Sequence, residues 1–192
     1  EVARLHAAFK RTQAGGMEIL LVEGFAGMGK TALVNEIQVH VTGQNGYFIR
    51  GSFDQLQHEA PYSALVDALR SLIQQTLMQS ESQLQELKKR ALEAVGANGQ
   101  LIVNMIPEAE LFLGIQPSLV MLSPVETQNR FNQTLQNFIE VFAQPEHPLI
   151  LVLENLHWAD AASASFFQRF LGLSDLHHFM LIGSYRNDEV ED

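Results

Sequence analysis

A three-layer α/β/α fold on a parallel sheet is the architecture this sequence predicts, and three observations carry that expectation. Short apolar runs alternate with stretches of helical periodicity along the chain. One run, Leu149-Ile150-Leu151-Val152-Leu153, contains no polar residue, as a strand covered on both faces requires. A glycine-rich loop, Gly24 to Thr31, lies between the first apolar run and a helix.

The elements follow in order. Val2, Leu5, Ala8 and Phe9 recur at helical spacing and predict an opening helix. Residues 18–23, after Gly15-Gly16, read as a buried strand. Leu33, Val34, Ile37 and Val41 mark a helix that ends near Gly43, and residues 47–51 form a second strand. Leu65, Val66, Leu69, Leu72, Ile73 and Leu77 make one apolar stripe, with Pro61 near its start. Leu84, Leu87, Ala91 and Val95 make another, opened by Ser80 with Gln83 three residues on and closed by Gly96. Residues 97–122 carry no regular period. Ser123 with Glu126 is a capping box, and Pro124 takes the first helical position. Phe131, Leu135, Phe138, Ile139 and Phe142 share one face of that helix. After the strand at 149–153, Asp160 or Ser163 caps a helix bearing Phe166, Phe167 and Phe170, which Gly172 closes. Residues 179–184 are the last of four strands.

Bulk properties narrow the function classes. The chain has 192 residues, enough for one domain with its own core, and is 46% apolar. Cysteine is absent, which excludes disulfides and thiolate-bound zinc and fits a reducing compartment. The net charge of -10 argues against direct nucleic-acid binding, which needs clustered Lys and Arg. The most apolar stretch, Leu101 to Leu122, is broken by Asn104, Pro107, Glu108, Glu110, Gly114 and Pro117, so no membrane span is expected. His177-His178 has no metal-type residues clustered with it and reads as solvated loop.

The glycine loop matches G-x-x-x-x-G-K-[ST] at Gly24, Gly29, Lys30 and Thr31. Its amides must point inward to wrap phosphates closely, which demands glycine where other residues resist the backbone angles. Lys30 is placed to reach the β- and γ-phosphates, the Thr31 hydroxyl to ligate Mg²⁺, and the helix to add its positive end. A chance match in a chain this long is roughly 1% at average residue frequencies. The run Gly24, Phe25, Ala26, Gly27, Met28, Gly29, Lys30, Thr31 and Ala32 is therefore the expected site for ATP with Mg²⁺. The fold expectation sharpens to a P-loop nucleotide-binding domain. Such a site also needs an acid at the end of a neighbouring buried strand, to hold Mg²⁺ directly or through water. Glu154, immediately after Leu149–Leu153, takes that place.

Glu154-Asn155-Leu156-His157-Trp158-Ala159-Asp160 resembles the D-D-L-H-W-A-D signature of bacterial AAA-type STAND ATPases, which are signal-transduction NTPases with many domains. Gly51-Ser52-Phe53-Asp54-Gln55, Pro61-Tyr62-Ser63, Gln128-Asn129-Arg130-Phe131-Asn132 and the run from Ile182 to Val190 are also similar to that family. In particular they resemble the ATPase domain of large bacterial sensor proteins, set between a Ser/Thr kinase-like domain and a GAF/histidine-kinase module. Related domains occur in LuxR-type regulators and adenylate cyclases.

The resemblance implies a set of roles. Gly24, Gly27, Gly29, Lys30 and Thr31 bind phosphate and Mg²⁺, Glu154 holds Mg²⁺, and Arg186 falls at the sensor-like Tyr-Arg-Asp element. Lys30, Glu154 and Arg186 are thus the expected catalytic residues, and Thr31 and Glu154 the metal ligands. Asn155 departs from the pattern, because many members carry a second acid there. Asn187-Asp188 reverses the usual order. The resemblance assigns no chemistry to His157 and Trp158; packing is the bland reading of both, and capping that of Asp160. It further implies that residues 1–192 are the ATPase core of a longer cytoplasmic multidomain protein, cut before its last core strand. The implied partners are ATP or ADP, other domains of the same polypeptide, and a second copy through nucleotide-dependent self-association, with no nucleic acid and no membrane.

Two functional readings stand side by side. One is an ATP-driven regulatory switch with slow or impaired hydrolysis. The other is a nucleotide-binding scaffold that does not hydrolyse. A GTPase is disfavoured by the lack of an N-K-x-D signature, and a small-molecule kinase has no matching lid motif. Asn155 separates the first two readings: if it replaces the group that activates water, Asn155→Asp should raise the rate.

Overall fold

The computed structural model describes residues 1–25, 29–55, 61–173 and 176–186. In chain order the elements are α1 (Val2–Gln13), β1 (Met17–Glu23), α2 (Lys30–Gly43), β2 (Tyr47–Ser52), α3 (Ser63–Leu77), α4 (Glu81–Val95), α5 (Gly99–Met105), α6 (Ala109–Leu113), α7 (Pro124–Phe142), β3 (Leu149–Glu154), α8 (Ala161–Leu173) and β4 (Phe179–Tyr185). All four expected strands are present, each within a residue of its expected bounds. They form one parallel sheet in the order β1-β4-β3-β2.

The chain divides into two compact units. The first, residues 1–68 and 143–192, holds the sheet. Alternation along the strands sends Phe48, Ile150, Val152, Met180 and Ile182 to one face, where they bury against Phe9 of α1 and Val34, Ile37 and Val41 of α2. Each such side chain contributes about 1.5–3 kcal/mol through lost apolar surface. The opposite face meets α8, whose Phe170 packs edge-on against Phe179 of β4 and stacks on Phe166. Helices on both faces explain why β3 and β4 read as unbroken apolar runs.

β1 differs from its sequence reading. It was expected to be a buried strand, yet Ile19 is 47% and Leu21 62% exposed. The strand lies at the edge of the sheet, and every second side chain points away from α1 and α2. Apolar spelling alone does not distinguish an edge strand from a central one.

The second unit, residues 69–142, is helical. The Ser123–Glu126 box is formed: the Ser123 amide donates to Glu126 (3.1 Å), and the Glu126 amide donates to the Ser123 hydroxyl (3.4 Å). Hydrogen bonds from the Ser123 hydroxyl and amide hold the Glu126 carboxyl below its ordinary pKa. Gln83 likewise accepts from the Ser80 amide at the start of α4 (3.4 Å). Arg90 donates to the Val141 carbonyl (3.2 Å) and Asn137 to that of Ala94 (3.1 Å), which ties α4 to α7. The segment 97–122, left without a period by its sequence, contains α5 and α6, whose Ile102 and Phe112 are fully buried. Among the described residues, no helix is long and apolar enough to cross a membrane.

Asp160 shows how a local signal acquires a distant job. It caps α8 as expected, accepting from the Ser163 amide (2.8 Å) and hydroxyl (2.6 Å). It also accepts from the amide of Tyr62 (3.2 Å), a residue in the left-handed region at φ 64 whose ring meets Phe166 edge-on. Asp160→Ala removes the cap and leaves buried donors without this acceptor, so a loss of about 2–3 kcal/mol is expected. Urea unfolding measures it; a change below about 0.5 kcal/mol, typical of an ordinary surface substitution, would show that the clamp contributes nothing.

Candidate functional site

The sequence-predicted residues gather at the carboxyl ends of the strands, where ligands of open parallel sheets bind. β1 ends at Glu23, and buried Gly24 and exposed Phe25 begin the loop. Ala26, Gly27 and Met28 lie outside the described residues. Gly29 adopts a left-handed conformation (φ 84), which a side chain would strain, and it precedes the 14-residue helix α2. Among the described residues no side chain caps this helix start, where the positive end of the helix dipole lies.

Lys30, Thr31 and Ala32 form the first turn of α2. The Lys30 ammonium donates to the carbonyls of Gly24 and Phe25, the second at 2.9 Å. Phosphate oxygens are better acceptors than these carbonyls because they carry charge. Thr31 is exposed. Its hydroxyl and the Glu154 carboxylate are hard oxygen donors of the kind Mg²⁺ prefers, so the donor set fits that ion. Among the described residues, no group of three or more His, Cys, Asp or Glu forms a separate metal site. His177 instead hydrogen-bonds the Gly15 carbonyl (3.0 Å).

Glu154 ends β3 opposite Ser52 of β2. It is paired with Arg50, whose Nε lies 3.8 Å from a carboxylate oxygen. Asn155 follows in the left-handed region (φ 59), which asparagine tolerates. Its side-chain NH₂ donates to the Ser52 hydroxyl (3.1 Å) and the Phe53 carbonyl (3.2 Å). Both donors therefore tie the end of β3 to the end of β2. An aspartate here would set a carboxylate against a carbonyl, so the gain in rate expected of Asn155→Asp requires that side chain to turn away.

The signature residues after Asn155 acquire roles that sequence alone did not supply. Leu156–Trp158 form one 3₁₀ turn. His157 Nδ1 accepts from the Arg186 amide (3.4 Å), and the Arg186 guanidinium lies 5.8 Å from the centre of the Trp158 ring, within cation–π range. The turn thus seats Arg186 at the end of β4. Beside it, the Tyr185 hydroxyl donates to Glu23 (2.7 Å) and closes the end of β1 onto β4; this bond to a carboxylate raises the phenol pKa. Asn187 and Asp188 lie outside the described residues. Sequence reasoning gave no role to Arg50, and none to Ser52 or Tyr185 beyond their place in family-like segments. For Arg50 a signal was present, since a charge in the middle of a buried strand calls for a partner.

Residues 1–182 match the family model described as the AAA ATPase domain. The chain belongs to this AAA ATPase domain family. It is also 35% identical over 163 residues, 85% of its length, to the hybrid signal transduction histidine kinase G of Dictyostelium discoideum. The aligned region is 5% of that much longer protein. The AAA ATPase assignment covers both the phosphate loop and the Glu154 strand, and the relative is a signalling kinase by name.

Proposed function

We propose that this AAA ATPase domain is an ATP- and Mg²⁺-binding regulatory switch of a signal-transduction protein, of the STAND branch, with slow hydrolysis. The observation that carries the reading is the start of α2: a helix end with no side-chain cap among the described residues, behind a left-handed glycine, with the Lys30 ammonium on the Gly24 and Phe25 carbonyls. Lys30 and the α2 amides bind the phosphates, Thr31 and Glu154 hold the metal, and Arg186 senses the γ-phosphate. Held by Thr31 and Glu154, Mg²⁺ would supply positive charge against the phosphates. A recess of about 310 Å³ beside β1, with Leu5, Leu20 and Leu33 as well as Arg4 and Glu23 in its wall, is a mixed polar and apolar seat for the base. The L-H-W-A-D run and the signalling relative support the regulatory role. The far greater length of the signalling relative supports reading the domain as part of a longer polypeptide, in the cytoplasm, whose other domains, or a second copy, respond to ATP or ADP.

Slow turnover rests on Asn155. Hydrolysis needs a group that orients or deprotonates a water. Asn155 cannot take a proton, and both donors of its amide are spent on β2. Loss of a general base lowers rates by about 10²–10⁴-fold. The same observation favours the second reading, a scaffold that binds nucleotide without turnover. Labelled ATP titrated with and without Mg²⁺, with GTP as competitor, tests binding; single-turnover assays separate switch from scaffold. Mg²⁺-dependent binding, preferred over GTP, with hydrolysis slow but above background, is expected. GTP displacing ATP as well as ATP itself does would refute the adenine assignment. Brisk hydrolysis would show that another group positions the water.

A further inference from the structure

Arg50 is the one strand-borne cation of β2, and its placement fits neither packing nor solvation alone. It sits opposite Val152 of β3, on the face covered by α1 and α2. One end of its guanidinium is fully engaged, donating to the Asn35 side-chain oxygen of α2 (2.7 Å). Among the described residues the buried Nε has no hydrogen-bond partner, and it stands 3.8 Å from the Glu154 carboxylate. The pair is therefore half made. The side chains are 31% and 18% exposed, so their charges are only partly screened.

We propose that Arg50 is the standing counter-ion of Glu154 and sets the concentration at which Mg²⁺ enters the site. The proposal rests on the reading of Glu154 as the metal-binding acid. A divalent cation at Glu154 meets the Arg50 charge at close range and must draw the carboxylate away from it. The incomplete geometry, long at Nε and tight at Asn35, keeps the carboxylate compensated yet releasable. The Asn35 tether fastens Arg50 to α2, the helix that begins at the phosphate loop, so metal entry is felt by β2 and α2 together.

The test is the Mg²⁺ midpoint for binding of a fluorescent ATP analogue, measured on the wild type, Arg50→Gln and Arg50→Met. Both variants keep a long stem and remove the charge, so one serves if the other does not fold. Their midpoints should fall by about threefold to tenfold, the range a partly exposed unit charge commands. Arg50→Lys, which keeps the charge, should stay within about twofold of wild type on the same grounds. Wild type with Mg²⁺-dependent binding but neutral variants at an unchanged or higher midpoint overturns the role of Arg50 alone. Wild type without any Mg²⁺-dependent binding overturns the nucleotide-site reading and the counter-ion role with it.

Discussion

Gly51→Ala is expected to cost about 3 kcal/mol of stability or to prevent folding, at the upper end of overpacking effects. Gly51 lies in β2, and a methyl group there would meet the Ala64 carbonyl oxygen at 1.8 Å and its carbon at 2.5 Å. These are backbone atoms near the start of α3, so no side-chain rotation relieves the clash. Either β2 leaves its register with β3 or the first turn of α3 moves off the sheet. Both disturb Ser52 and Phe53, which hold Asn155. Gly43→Ala is the control. Gly43 is the last residue of α2, and a methyl group there meets nothing within 4 Å. Alanine at a helical position with room should be neutral or stabilise by about 0.5–1 kcal/mol. Urea unfolding of the three proteins measures the difference. Equal midpoints for Gly51→Ala and wild type would mean that α3 does not sit against β2 as described.

Lys30→Ala is expected to lower the affinity for Mg²⁺·ATP by about 2–3 kcal/mol, or roughly 30- to 150-fold, through loss of a charge-assisted contact. The free loop shows what that lysine does beforehand. Its ammonium bonds the Gly24 and Phe25 carbonyls and must exchange them for phosphate oxygens. The substitution thus removes a ligand contact and a tether of the free loop at once. The tether is partly exposed and contributes little, so unfolding of the free protein should change by less than about 1 kcal/mol. Titration with labelled ATP checks the first effect and urea unfolding the second. Equal affinities would sink the phosphate-site assignment; a large loss of stability would make Lys30 a structural residue.

How far the site could be read in advance depended on the range of each signal. The G-x-x-x-x-G-K-T run is contiguous, so it is legible in the sequence without knowledge of the fold. The helix start behind it, the capping boxes at Ser80 and Ser123 and the Asp160 cap are equally local. The fate of 97–122 was not local. α5 and α6 have 7 and 5 residues, too few to persist without burial of residues such as Ile102 and Phe112. Nor does any local rule connect Asn155 to Ser52, 103 positions away, or His157 to Arg186, 29 positions away.

The sequence by itself determined the four strands and the longer helices outside residues 97–122, because periodicity, caps and glycine conformations act within a few residues. Tertiary structure alone decided the order β1-β4-β3-β2 and the partners of Glu154, Asn155 and Arg186. Those depend on which strand ends meet. A strand's apolar pattern states that it must be covered without stating by what, and a charge in mid-strand calls for a partner without naming it.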